Sequence, residues 1–252
     1  MPAARFFVEQ ALSAGARVTL PASVAHHARN VLRLRAGDPI VLFNGTGGEY
    51  RARLASETDA AGGAMQAKVD SFDPIEREAR LRITLIQALA TSDKIDWVIE
   101  KAVEIGVARV IVTGAARSTA RLEGARLQRR LQHWHELVVA ACCQCGRNRV
   151  IAISIANSLA DALEQAGQTD FKWVLDAEAS AGLPATCDRA HEVTLAVGPE
   201  GGFERREIEQ AVRSGYQPIS LGPRILRTES AGLVAAAAWL ALNGEFAAAP
   251  VG

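Results

Sequence analysis

Nowhere in its 252 residues does the chain string together the roughly 18 apolar residues that a membrane-spanning helix needs. Its start, MPAARFFVEQ, lacks the long apolar core of a secretory signal. A cytoplasmic location with no membrane partner is expected. Cysteine is scarce: four residues, three of them clustered as Cys142, Cys143 and Cys145, make no disulfide framework in a chain this long. Cys142 and Cys145 have Cys-x-x-Cys spacing, but no second pair follows, and Cys187, His133 and His135 add no zinc pattern. Small, semi-buried residues on a helix are expected there, and no metal. Two phosphate-binding signatures are missing as well, G-x-x-x-x-G-K-[ST] and a G-x-G-x-x-G opening the first strand-helix unit.

Net charge is also absent, but the zero is a sum of unlike parts. Residues 117–149 hold seven arginines (117, 121, 126, 129, 130, 147, 149) against Glu123 and Glu136, whereas residues 150–252 carry seven basic and thirteen acidic groups. Such a split suits a polyanion contact on one face, or simply a solvated helix face. The apolar fraction of 49% and charged fraction of 22% are those of an ordinary globular protein large enough for one big domain or two unequal ones.

Two patterns divide the chain. Residues 1–72 read as short, partly alternating strands (ARVTL, DPIVLFN, EYRARLAS, AMQAKVDSF) separated by glycine turns at 37–38, 45–48 and 62–63, the pattern of a small β-barrel. One helix over 22–34 interrupts them, with Ser23 as N-cap and His26, His27, Arg29 and Arg33 on its polar side. DPIERE, at 73–78, is the expected linker to a second domain over 73–252. From Leu81 the pattern becomes alternating strand and helix: strand 81–89, helix 93–105 closed by Gly106, strand ARVIVT, a basic helix over 124–145, strand 150–155, helix 158–166, strands 172–176 and 192–197, helix 204–214, strand 217–221 and helix 229–243. Alternation of this kind implies an α/β fold with a mostly parallel sheet covered on both faces.

In such sheets ligands bind beyond the carboxyl ends of the strands. Three ends stand out: Leu175 and Asp176 after FKWVL, Gly198 to Gly202 after VTLAV, and Gly222 to Thr228 after PISL. Glycines 198, 201, 202 and 222 allow close backbone approach, and Pro199 and Pro223 stiffen the turns. Exposed amides and carbonyls on two rigid loops suit a polar ligand with an adenine ring and an amino-acid tail, and Glu200 would repel phosphates, so a cationic or zwitterionic cofactor is favoured over a polyphosphate. A purely structural tight turn is the alternative.

The stretches GPEGGF (198–203), LGPRILRTESA (221–231), QCGRNRV (144–150), DKIDWVIEKAVEIGV (93–107) and VLRLRAGDPIVLFNGTGGEY (31–50) together resemble the RsmE family of bacterial 16S ribosomal RNA (uracil-N3)-methyltransferases, of the SPOUT class. The resemblance covers nearly the whole chain, in order. It implies a PUA-like RNA-binding β-barrel over 1–72, and over 73–252 a SPOUT domain whose last segments form a trefoil knot. It also implies a homodimer, S-adenosylmethionine as cofactor and 16S rRNA or the small ribosomal subunit as partner. Carried over, Leu175, Gly198, Glu200, Gly201, Leu221, Gly222, Ile225 and Leu226 would surround the cofactor, with Ile225 and Leu226 as an apolar wall for adenine. The chemistry implied is attack by uracil N3 on a sulfonium methyl. An arginine (Arg147, Arg224 or Arg227) would stabilise the developing uracil anion, and Glu200 or Glu229 would accept the N3 proton. Arg5, Arg29, Arg33 and Arg35 of the small domain and Arg126 and Arg129 of the basic helix would contact RNA phosphates. The chain departs from the family pattern at Cys143, where glutamate is common, at Ile151, where proline often stands, and in ATSDK at 90–94, where a Pro-Lys turn is expected. Two rival readings are an RNA-binding ribosome-assembly factor with a vestigial pocket and a nucleotide-dependent enzyme on a similar sheet; a different RNA substrate is the variant of the main one.

Overall fold

The computed structural model describes residues 3–55, 64–118, 124–184 and 191–247, excepting the side chains of 124 and 125. The turn expected at Gly62 and Gly63, together with Arg121, Glu123 and Cys187, lies outside them. Residues 1–78 with 142–150 form one compact unit, and 79–141 with 151–252 the other. The boundary expected after residue 72 therefore falls inside a strand, and the first unit also takes a segment from far along the chain.

In the first unit β1 (Ala4–Phe7), β2 (Arg17–Thr19), β3 (Pro39–Phe43), β4 (Glu49–Leu54) and β5 (Gln66–Asp73) form one sheet in the order β1-β3-β4-β5-β2. β1 pairs with β3 in parallel, and the other pairings are antiparallel. Alternation makes β4: Ala52 and Leu54 are buried, Arg51 and Arg53 exposed. The buried pair meets Ile40, Leu42, Ala67 and Val69 in a shared core. β1 is a strand the sequence pattern misses, because four residues carry too little alternation to register.

The helix expected over 22–34 is cut short. α1 (Ala22–His26) begins after Pro21, so Ser23 lies in its first turn and not at the cap. At His27–Val31 the backbone widens into a π-helical turn, and Arg33 takes a φ of +55°, which ends the helical path. Arg29, Val31, Leu32, Arg33 and Arg35 are all exposed there.

Residues 74–78 carry no regular structure, yet they are not a loose linker. Asn148 Nδ2 donates to the Ile75 carbonyl at 2.8 Å, Arg149 pairs with Glu76 at 2.7 Å, and Arg147 Nε donates to Glu78 at 3.0 Å, its guanidinium making a second contact to the same carboxylate. These bonds hold 142–150 in the first unit. Arg5 belongs to the same network: it pairs with Glu49 and donates to Asn148 Oδ1 at 2.6 Å and to the Gly146 carbonyl at 3.1 Å. Burial alone would raise the Glu49 pKa, but hydrogen bonds from Arg77 and Arg5 hold it below the usual carboxylate value. Cys142, buried beside this segment, has its thiol pushed up to about 12 by burial, so it stays protonated and inert. Cys143 is half-buried and Ile151 buried, so both departures from the family pattern are occupied by packed apolar groups.

The second unit is a six-stranded sheet in the order β11-β9-β10-β6-β7-β8, parallel at every pairing. In chain order it runs β6 (Arg82–Ala88), α2 (Ser92–Ile105), β7 (Arg109–Thr113), α3 (Gly124–Cys145), β8 (Ala152–Ala156), α4 (Leu159–Ala166), β9 (Phe171–Leu175), β10 (Glu192–Val197), α5 (Arg205–Arg213), β11 (Gln217–Ile219) and α6 (Thr228–Leu242). Central β10 is buried from Val193 to Val197, as a strand covered on both faces is, with Thr194 the one polar residue of the run and its hydroxyl bonded to that of Thr169. α2 buries Ile95, Val98, Ile99, Ala102 and Val103, and Gly106, at φ +106°, returns its N–H to the last turn. α6 lies directly on the sheet: a Cβ at Gly232 would stand 2.8 Å from Leu85 Cδ1 and 2.9 Å from Val197 Cγ2.

The Arg147 and Glu78 pair is buried on the arginine side, 4% exposed. Removing one member strands the other charge, a loss of about 3–5 kcal/mol. Arg147→Met should therefore lower the urea midpoint by that equivalent; a shift corresponding to less than about 1 kcal/mol would show that the pair does not hold the segment.

Candidate functional site

β9, β10 and β11 are neighbours running the same way, so the loops that leave their carboxyl ends converge. The loop after β10 has little choice of shape. At Gly198 a Cβ would sit 2.7 Å from the Phe203 amide, Gly202 has a φ of +69°, and the Gly202 amide closes a turn on the Pro199 carbonyl at 2.8 Å. Buried Phe203 and a reciprocal capping box between Glu204 and Glu207 then start α5.

This loop is tied to the one after β11. Thr228, the first residue of α6 and buried, donates its hydroxyl to the Gly198 carbonyl at 2.5 Å and accepts from Gln87 Nε2, at the end of β6, at 3.0 Å. Around the joined loops lies a cavity of about 980 Å³. Every residue expected to hold a cofactor lines it: Leu175, Gly198, Glu200, Gly201, Leu221, Gly222, Ile225 and Leu226. So do Arg224, Arg227 and Glu229. Ile225 is 88% exposed, an apolar side chain standing at the mouth.

Five basic and five acidic side chains line the cavity. Lys94, from the first turn of α2, sits 2.9 Å from Glu200 Oε1 and 3.6 Å from Glu229 Oε2. The hydrogen bond to Glu200 raises the lysine's pKa. Burial would raise that of Glu200, but the Lys94 hydrogen bond outweighs it and holds the carboxyl low. Glu229 is largely buried, and its Oε2 has no hydrogen-bond partner among the described residues. Arg227 is 84% exposed and 3.9 Å from Glu229 Oε1, a contact too long and too wet to hold it. Arg117 Nη1 donates to the Gly201 carbonyl at 2.7 Å, and Glu207 accepts from the Ala116 amide at 2.9 Å, so the segment after β7 braces the glycine loop.

Two expectations are corrected. Arg147 is not a free catalytic cation: it is buried in the first unit and committed to Glu78. Arg5 is likewise spent inside that unit on Glu49, Asn148 and the Gly146 carbonyl, and is not available to RNA. Arg126 and Arg129 are exposed on α3. The sequence reading overlooks Gln87, Lys94 and Arg117 as site residues, and it places Thr228 in the second loop without its role as the tie; the available signals were a polar residue ending an apolar strand and a threonine opening an apolar helix. Among the described residues no group of three or more His, Cys, Asp or Glu could hold a metal, and no helix is long and apolar enough to cross a membrane.

Residues 77–240 match a family model described as an RNA methyltransferase domain, and residues 20–60 one described as an RNA methyltransferase PUA domain. A Mycobacterium bovis protein named ribosomal RNA small subunit methyltransferase E is 31% identical over 243 residues, covering 93% of this chain and 90% of its own. The chain belongs to this methyltransferase E family. The Bacillus subtilis member is 26% identical over 93% of the chain and 94% of its own length. A Neisseria gonorrhoeae member, solved bound to S-adenosyl methionine, is 33% identical with a TM-score of 0.84, covering 96% of this chain and 98% of that one. A Legionella pneumophila protein solved with its bound cofactor SAM is 27% identical with a TM-score of 0.89, covering 96% and 99%. These matches carry the α/β fold and the PUA-like N-terminal part across the family.

Thr228 cannot lose its hydroxyl without leaving the Gly198 carbonyl and the Gln87 amide short of a partner, a cost of about 1–3 kcal/mol. Thr228→Val should lower the denaturant midpoint accordingly while Thr228→Ser restores it; equal midpoints for the two variants would show that the hydroxyl does not join the loops.

Proposed function

We propose that the chain transfers a methyl group from S-adenosylmethionine to small-subunit ribosomal RNA, at N3 of one uridine. The observation that carries the reading is the cavity between the two tied loops, formed within a chain whose family relatives are rRNA methyltransferases. The residues present fit the cofactor. A balanced charged lining suits a zwitterionic tail and a sulfonium, Leu175, Leu221, Ile225 and Leu226 offer apolar surface to adenine, and Glu200 disfavours a polyphosphate. When bound, the cofactor supplies a methyl group activated by its positive sulfur.

The rest falls to the chain's own groups. Neutral uracil N3 has its lone pair delocalised into two carbonyls, so the N3 proton must leave. Glu229 Oε2, a carboxylate oxygen without a hydrogen-bond partner among the described residues, takes it. Arg227, beside Glu229 and swung towards solvent, meets the negative charge that develops on the uracil oxygens. The target base leaves its stack to reach the cavity. Arg29, Arg33, Arg35, Arg126 and Arg129, all exposed, contact phosphates. A trefoil knot in the last segments belongs to this reading. A cytoplasmic location, where ribosomal RNA is found, is part of the same reading.

The reading includes a homodimer. From Ala231 onward α6 is apolar around its whole circumference, yet Val234 and Leu242 on it, and Trp97 on the adjoining α2, are 44–45% exposed. A helix apolar all round is covered on every side, and a second copy is the occupant. Val234→Glu should shift the sedimentation coefficient from dimer to monomer; a wild-type monomer at micromolar concentration would refute the dimer.

Radiolabel transfer from S-adenosylmethionine to small-subunit RNA, with mass spectrometry locating one added methyl on one uridine, tests the activity; no transfer would leave the assembly-factor reading. Within that assay, Arg227→Ala should bind cofactor normally by calorimetry while kcat falls about 100-fold, as loss of one oxyanion-stabilising donor does. Unchanged turnover would remove Arg227 from the chemistry.

A further inference from the structure

A second cleft, of about 900 Å³, opens beyond the carboxyl ends of β7 and β8. α5 separates the two hollows, lending Arg205, Ile208 and Glu209 to the first and Arg206, Gln210 and Arg213 to the second. The spacing of these three, at i, i+4 and i+7, puts them on one helical face. Opposite them runs the start of α4, with Asn157 and Ser158, and the apolar floor includes buried Leu89 and Leu159.

Charge and chemistry narrow the occupant. The one acidic side chain in the lining, Glu207, has both oxygens engaged, by the Ala116 amide at 2.9 Å and the Glu204 amide at 2.8 Å. Arg206 leans on Glu204 at 2.7 Å in a pair 75% exposed on the arginine side, which costs little to redirect. Arg213 makes no ion pair with the described residues, and is exposed. Two arginines available to an anion, two side-chain amides able to donate and accept, and a small apolar floor are what a single-stranded nucleotide uses: arginines take phosphates, amides read a base edge. The volume lies within the usual range for a bound small molecule, about 300–1,000 Å³. Both hollows also lie along the same carboxyl edge of the sheet, so a strand that delivers one base to the first must run on past the second or away from it.

We infer that this cleft is an RNA subsite that receives a nucleotide flanking the methylated one, its phosphates on Arg206 and Arg213. The inference rests on the methyltransferase reading and adds to it where the substrate strand goes.

The test uses the full chain and the double variant Arg206→Gln with Arg213→Gln. S-adenosylmethionine affinity by calorimetry should be unchanged, since neither residue lines the first cavity. The KM for ribosomal RNA should rise about tenfold with kcat at saturating RNA within about twofold, and the slope of log K against log salt should become shallower by about 1.4, about 0.7 for each single-strand phosphate contact. An unchanged KM and slope would overturn the subsite. So would wild-type binding of inorganic phosphate or uridine monophosphate at this cleft as tightly as RNA, because the site would then serve a small anion. If the double variant melts early, Arg213→Gln alone decides, with about half the change in slope. Failure of the wild type to methylate ribosomal RNA at all is a separate result, and it strikes the activity on which the subsite depends.

Discussion

One hydroxyl joins the two loops on which the cavity depends. Thr228 gives its proton to the Gly198 carbonyl and takes one from Gln87, so the ends of β6, β10 and the start of α6 meet at one oxygen. Each partner is buried, and a buried polar group without its bond costs more than the bond itself contributes. The loop after β10 adds its own constraint, since no side chain fits at Gly198 and Gly202 is left-handed. A hollow whose walls are fixed by backbone sterics and a buried relay needs no ordering when a ligand arrives, and that saves the entropy of arranging it.

The charges around the cavity follow a similar economy. Lys94 stands between Glu200 and Glu229 but bonds closely only to the first. Glu200 is thereby held as an anion, a fixed negative wall suited to a cationic sulfur or ammonium group. Glu229 keeps one buried oxygen without a hydrogen bond among the described residues, only the longer contact to Lys94 at 3.6 Å. The largely exposed Arg227 lies 3.9 Å from its other oxygen. A carboxylate and two cations are thus gathered on one wall of the cavity.

Much of the large unit was legible in the sequence, because its signals are long. β6, α2 and β10 carry five or more buried residues each, at the period their geometry demands, and Gly106 marks the end of α2. The glycine loops were legible as loops, and their place at adjacent strand ends followed from the parallel sheet. What was hidden depended on contacts distant in the chain. Thr228 bonds across 30 residues to Gly198 and 141 to Gln87, and Lys94 reaches 106 residues to Glu200; no local pattern encodes such distances. The small unit was less legible, since a π-helical turn and a left-handed Arg33 look like continued helix when only side-chain spacing is read.

The arginines bring the limit into focus. A run of seven within 117–149 suggested a polyanion contact, but charge in a sequence is silent about which carboxylates stand nearby. Arg130 is held by Asp96 at 3.1 Å, Arg147 by Glu78, Arg149 by Glu76, and Arg117 by the Gly201 carbonyl. Each of these bonds builds the fold or braces the cavity, and an arginine already engaged must break a bond before it can take a phosphate. Arg213, exposed and outside the run altogether, makes no ion pair with the described residues, and Arg206 holds only an exposed one, to Glu204 at 2.7 Å. Local excess of charge is therefore a weaker guide to an RNA contact than how firmly each arginine is already held. By that measure the face of α5 turned towards β8 has a better claim on the substrate strand than most of the basic run that first suggested one.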